Sequence, residues 1–202
     1  MTKTRIAAVL ALASAAALGE VSAHAQAAYT ATQELHISAF GAASGVYTGI
    51  NTAKNLSITA GANFTFGRLF GLEPSLTVRG TYPIDRGVDV SEKTVLGGLQ
   101  VEKKFGRYHP YIDALFGRGE MNFVVPHPDP SGSFYYEATS SNIVSPGVGV
   151  DIDVSHHFAF KLDGQFERFQ TPVVDSGETW AKVASAGVTY RFDFNGRRRS
   201  RR

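Results

Sequence analysis

Between Asn55 and Phe66 the chain alternates without a break for twelve residues. Leu56, Ile58, Ala60, Ala62, Phe64 and Phe66 fall on one parity; Asn55, Ser57, Thr59, Gly61, Asn63 and Thr65 fall on the other. Period two is a strand pattern, since the apolar residues of a helix recur every 3.6 positions. A tilted strand needs ~9–11 residues to cross a bilayer, so this segment is long enough.

The pattern recurs. Leu72, Pro74, Leu76, Val78 and Tyr82 oppose Glu73, Ser75, Thr77, Arg79 and Thr81. Val95, Leu99, Val101 and Phe105 oppose Gln100, Glu102 and Lys104. Val144, Val148, Val150, Ile152 and Val154 oppose Ser145, Asp151 and Asp153, and Phe158, Phe160, Leu162 and Phe166 oppose Lys161, Asp163, Gln165 and Glu167. A closing strand runs from about Trp180 to Phe194, with Val188, Tyr190, Phe192 and Phe194 on one side and Thr189, Arg191 and Asp193 on the other. Two weaker segments complete the set. Leu35, Ile37 and Ala39 oppose Glu34, His36 and Ser38; Ile112, Ala114 and Phe116 are expected to face out, with Tyr111 and Asp113 inside, though the opposite phase is open. The total of eight is even, as single-chain bacterial barrels require.

The connections alternate in length. Short ones cover Gly67–Gly71, Gly106–His109 and Ser155–His157; long ones cover about Ala42–Lys54, Pro83–Thr94, Met121–Asn142 and Thr171–Glu178. Short periplasmic turns and long external loops are the asymmetry of outer-membrane barrels, and its parity puts both barrel ends in the periplasm.

That agrees with the N-terminus. Lys3 and Arg5 form a basic start, Ile6–Gly19 an apolar run, and Ala23-His24-Ala25 a small-x-small cleavage site, so residues 1–25 read as a signal peptide. The apolar run is short for a spanning helix, and no later stretch approaches 18 consecutive apolar residues. The absence of cysteine excludes a disulfide framework and a thiolate metal site. Removing Lys3, Arg5 and Glu20 with the leader and five arginines with the tail turns 20 basic and 18 acidic residues into 13 and 17. The body is thus mildly acidic, and a nucleic-acid partner is not expected.

Alternation alone does not say which face is inside, and a soluble lipocalin-type barrel would be apolar within. Charge favours the reverse. The polar faces carry Glu73, Arg79, Glu102, Lys104, Asp113, Asp151, Asp153, Lys161, Asp163, Glu167 and Arg191; on the apolar faces Lys103 and Lys182 are exceptions that can snorkel at strand ends. Phe66, Phe70, Phe105, Tyr108, Phe158, Tyr190, Phe192 and Phe194 cluster near periplasmic strand ends, where an aromatic girdle belongs. The expected fold is all-β: an eight-stranded antiparallel up-and-down transmembrane β-barrel over 26–194, followed by a disordered Arg-rich periplasmic tail at 195–202.

With this strand count, loop asymmetry and ending, the chain resembles the small eight-stranded OmpA-type or OmpX-type outer-membrane β-barrel family over nearly all of residues 30–194. Gly187, Tyr190, Phe192 and Phe194 are similar to the C-terminal β-signal read by the barrel assembly machinery. The resemblance implies insertion by that machinery into the outer membrane of a Gram-negative bacterium, with outer-membrane lipid and lipopolysaccharide as surroundings. Two departures stand out. Asn195–Arg202 follow the signal-like strand, and no peptidoglycan-binding domain is evident, so a wall tether through one is not expected.

An eight-stranded barrel is just wide enough for side chains to fill it, and buried charges must be paired or hydrated. The eleven polar-face charges are therefore expected to form a lumen network. The leading expectation is a non-enzymatic structural or surface-interaction protein with external loops available for binding. The alternatives are a narrow low-conductance pore and a lipid A-modifying acyl hydrolase, for which Ser38 and His36, with Glu34 beside them, are the candidate constellation. No cofactor or metal is expected: His156-His157 lie in a tight turn and His127 in a Pro-rich loop without ligand spacing. In that loop, Phe134, Tyr135 and Tyr136 suit either surface contact or an outer aromatic belt. The tail arginines suit phospholipid phosphate or plain solvent.

Overall fold

The computed structural model describes residues 36–50, 53–85 and 90–192. The leader at 1–25, Glu34 and Leu35, Phe194 and the tail at 195–202 lie outside the described residues. Eight strands follow in order: β1 (His36–Tyr47), β2 (Lys54–Thr65), β3 (Leu72–Asp85), β4 (Val90–Lys103), β5 (Tyr108–Pro128), β6 (Tyr135–Asp153), β7 (Phe158–Gln170) and β8 (Glu178–Phe192). Each pairs antiparallel with its neighbour, and β8 pairs back onto β1 from Ile37↔Phe192 to Tyr47↔Lys182. Closure leaves no edge of unpaired N–H and C=O groups, which hydrocarbon could not satisfy.

The two parities separate as alternation demands. On β2, Ser57 and Thr59 are fully buried while Leu56 and Ile58 are about half exposed. The expected phase of β5 is the one observed, with Tyr111 and Asp113 buried and Ile112 and Phe116 exposed. A soluble carrier barrel would be reversed. In water, leaving a large apolar side chain uncovered forgoes about 1.5–3 kcal/mol. Here exposed apolar residues ring the sheet, among them Val78, Val95, Leu99, Val144, Val148, Leu162 and Val188. This is the architecture of a transmembrane barrel. At the end of the barrel that carries the short turns, Tyr190 meets Phe158 and Phe192 edge-on, with ring centroids 5.0 and 4.8 Å apart.

The strands run further outward than the alternation indicated, and every long connection except the last shrinks. β1 continues to Tyr47, β3 to Asp85 and β4 starts at Val90, so these external connections span 48–53 and 86–89. The largest correction concerns 121–142. This segment reads as a loop because Pro126, Pro128 and Pro130 interrupt it, yet β5 and β6 hold 21 and 19 residues and pair as far as Pro128↔Tyr135. Proline cannot donate to a ladder and is tolerated at bulges; the register is irregular between Asn122 and His127, where Pro126 falls. At ~3.3 Å per residue, Pro128 lies on the order of 40 Å along the strand from Phe116. Phe134 and Tyr135 therefore cap a ribbon well beyond the apolar band and do not form an outer aromatic belt.

Candidate functional site

The lumen is built from the inward parity of all eight strands, and its side chains are layered. At the mouth on the short-turn side a cavity of about 330 Å³ opens among residues that include His36, Ser38, Glu73, Glu102, His109 and Arg191. Glu73 accepts from Lys104 at 2.8 Å and from Arg68 at 2.8 Å. His109 stands between two carboxylates, with Nδ1 2.7 Å from Glu102 and Nε2 3.1 Å from Asp153, which also pairs with Arg191.

Above this rim the network tightens. Lys161 Nζ is 3.3 Å from Asp151 and 4.0 Å above the Tyr111 ring, while Thr189 donates to Asp151 at 3.1 Å. Arg79 pairs with Asp163 at 2.8 Å, and the Tyr111 hydroxyl donates to the other Asp163 oxygen at 2.9 Å. Gln165 joins the pieces: its amide donates to Asp113 at 2.9 Å and accepts from Ser145 at 2.7 Å. Gly147 makes room for it, since a Cβ there would sit 2.0 Å from the Gln165 amide nitrogen and 2.4 Å from Asp113. On the opposite wall the hydroxyls of Ser185, Ser44, Thr59 and Thr81 are joined in a chain at 2.7, 2.7 and 3.0 Å.

The outer layer is apolar. Leu96, Leu115, Met121, Ile143 and Phe169 are at most 2% exposed and pack with Ile50, Val90 and Ala181 into one cluster. Along β5 the inward residues run Tyr111, Asp113, Leu115, Met121, and along β7 Lys161, Asp163, Gln165, Glu167, Phe169. The apolar cluster therefore lies between the charge network and the long connections, as a plug. Two carboxyl groups, Glu92 and Glu167, are fully buried at this boundary, and none of their four oxygens has a hydrogen-bond partner among the described residues.

Among solved structures, Neisserial surface protein A matches with a TM-score of 0.51 at 15% identity, over 78% of this chain and 97% of that one. The chain has the fold of that small eight-stranded barrel. OprG from Pseudomonas aeruginosa matches at a TM-score of 0.43 and 13% identity, over 78% of this chain and 96% of that one. Ail, the attachment invasion locus protein of Yersinia pestis, matches at 0.39 and 12%, over 78% of this chain and 97% of that one. No protein-family model matches the chain, and no curated protein does.

Within this barrel fold the eleven charges named from the polar parity all sit on the inward side, but in two settings. Arg79, Asp113, Asp151, Lys161, Asp163 and Glu167 are buried; Glu73, Glu102, Lys104, Asp153 and Arg191 belong to the open rim. Sequence reasoning missed Glu92, because Pro83–Thr94 reads as a loop, and His109, because it opens the strand after a tight turn. It also missed the plug. Leu96, Leu115, Ile143 and Phe169 occupy the polar parity of their strands, a signal present in the alternation but masked by the charges beside it. Of the ending that resembles a β-signal, Gly187 lies inward, where an added Cβ would meet the Gly41 carbonyl oxygen at 2.1 Å. Tyr190 and Phe192 lie on the aromatic outer surface. Ser38 and His36 share the lumen face of β1 at the mouth on the short-turn side.

Proposed function

We propose that this chain is a non-enzymatic integral protein of the bacterial outer membrane whose lumen is closed and whose β5–β6 ribbon is a surface for binding outside the cell. The observation that carries the reading is the inverted polarity, an apolar belt outside and an ion-paired, hydroxyl-rich interior within. The secretory leader expected at 1–25 and the likeness in fold to Neisserial surface protein A support the location.

The plug supports a closed lumen over a pore: an ion would have to displace Leu115, Met121, Ile143 and Phe169. The position of Ser38 and His36 weighs against an acyl hydrolase, because acyl chains lie outside the sheet and these side chains line the inside. The ribbon supports surface recognition. Val124, Val125, Phe134 and Tyr135 are each more than half exposed, and exposed apolar patches beyond the membrane mark contact sites.

The test has two parts. Outer-membrane fractions run on SDS gels with and without boiling should give a band that shifts on heating, and the purified protein in planar bilayers should give no conductance steps. A soluble periplasmic protein without a shift sinks the membrane reading; steady unitary steps sink the closed lumen.

A further inference from the structure

The plug closes the lumen behind the charge network, so the cavity on the short-turn side is a blind pocket and not a passage. Its volume, about 330 Å³, lies at the small end of ligand pockets, ~300–1,000 Å³. Its wall is polar, and the charged and uncharged groups in that wall stand in different situations.

The charged groups are engaged with one another. Glu73 is held by Lys104 at 2.8 Å, Glu102 by His109 at 2.7 Å, Asp151 by Lys161 at 3.3 Å, and Asp153 by Arg191. A small ion entering the pocket would have to break one of these pairs and lose its own hydration as well.

The uncharged groups are only half engaged. Ser38 on β1, Asn63 on β2 and Thr77 on β3 form one cross-strand row. The Thr77 hydroxyl lies 3.0 Å from the Asn63 amide and 3.4 Å from the Gln100 amide. Each amide therefore uses one of its two polar atoms on Thr77; the other has no partner among the described residues and belongs to the cavity wall. Asn63 and Gln100 are 4% and 2% exposed, so packing holds these groups in place. The Ser38 hydroxyl and the second oxygen of Glu102 line the same space, also without a partner among the described residues. A ligand hydroxyl donates once and accepts through two lone pairs, so it satisfies an amide in either orientation. Ile37 and Phe192 add an apolar edge at the mouth.

We propose that this pocket binds a neutral mono- or disaccharide, with its hydroxyls on Ser38, Asn63, Gln100 and the second Glu102 oxygen and the C–H face of a ring against Phe192. The site is separate from the β5–β6 ribbon and has the plug behind it. Saccharide hydroxyls reproduce the hydrogen bonds that water would make to these groups, so exchanging one for the other loses little affinity.

The experiment uses the full chain in phosphatidylcholine nanodiscs, free of maltoside and glucoside detergents, which carry the ligand chemistry themselves. The heat shift is checked first in every sample, so that a misfolded barrel is scored against the fold and not against the site. Glucose, N-acetylglucosamine and cellobiose are then titrated separately while the side-chain amide signals of Asn63 and Gln100 are followed by NMR. Spermidine and inorganic phosphate serve as charged probes. At least one saccharide should shift both amides saturably, and the two ions should not. An uncharged hydrogen bond contributes roughly 2–10-fold in affinity, so S38A and Q100A should each weaken binding by about that factor. S38A removes a hydroxyl that bonds to nothing else among the described residues, which keeps the test independent of folding. V148A, on the outer wall, should bind as the wild type does. No saturable shift with any of the three saccharides, a stronger response to spermidine or phosphate, or wild-type affinity in both S38A and Q100A overturns the proposal. Equal loss in V148A and S38A overturns it too, since the effect would then not be local to the pocket.

Discussion

Arg79 on β3 and Asp163 on β7 meet across the lumen at 2.8 Å, each side chain only 2% exposed. The pair ties opposite walls of the barrel, and Tyr111 and Gln165 complete the hydrogen bonding of Asp163. Arg79 is less complete, since Nε and Nη2 have no partner among the described residues. Removing one member of a buried pair leaves an uncompensated charge and costs about 3–5 kcal/mol, whereas replacing both by apolar residues is often neutral or better. R79M and D163L alone should therefore lower the urea midpoint of the heat-shifted band strongly, and the double variant should recover most of it. Single variants that unfold at the wild-type midpoint would show that the pair holds nothing together.

Glu92 should behave in the opposite way. Its carboxyl is buried without a hydrogen-bond partner among the described residues, beside the apolar plug. A buried polar group without a hydrogen bond costs about 1–3 kcal/mol, a liability that a packed apolar side chain removes. E92M is expected to match or exceed the wild type in urea. A clear drop in midpoint would mean that Glu92 has a stabilising partner and that this account of the boundary is wrong.

These two sites also measure how far the sequence could be read. The barrel was legible because a strand's side-chain period is fixed at two, so Leu56–Phe66 or Phe158–Phe166 could take few other forms. The identities on the inner face were legible for the same reason. Their partners were not. Arg79 and Asp163 are 84 positions apart and meet only because closure brings β3 opposite β7. Glu92 was hidden because it falls inside the connection expected at Pro83–Thr94, while pairing with β5 prolongs β4 back to Val90. The same extension raised the Pro-rich segment into a ribbon.

The plug makes a stability prediction separate from conductance. Phe169 is 1% exposed and packs in the cluster with Leu96, Leu115, Met121 and Ile143. Truncating a buried phenylalanine leaves a cavity and costs about 3–5 kcal/mol. F169A should lose that much in equilibrium urea unfolding from lipid vesicles. F166A, which removes a ring from the lipid-facing side of the same strand, should lose less. If F166A proves the more damaging, the inner and outer faces of β7 have been exchanged.

The tip of the ribbon carries a pH-dependent cap. Asp129 accepts from the Ser131 hydroxyl at 2.6 Å through one oxygen, and from the backbone N–H groups of Ser133 at 2.8 Å and Phe134 at 3.1 Å through the other. The Ser131 hydrogen bond first, and the Phe134 and Ser133 amides with it, hold this carboxyl below its ordinary value. The sign follows from the ionised form being the one that is bonded. A depressed value in the folded ribbon means that the cap is fully present above the unfolded-state value, about 3.9, and is lost as pH falls through the folded one. In NMR titrations of the protein in bilayer nanodiscs, the amides of Ser133 and Phe134 should move together with an inflection below 3.9, and D129N should abolish it. An inflection at or above the ordinary carboxylate value would show that these bonds do not hold Asp129 in solution, and that Phe134 and Tyr135 are presented by an uncapped loop.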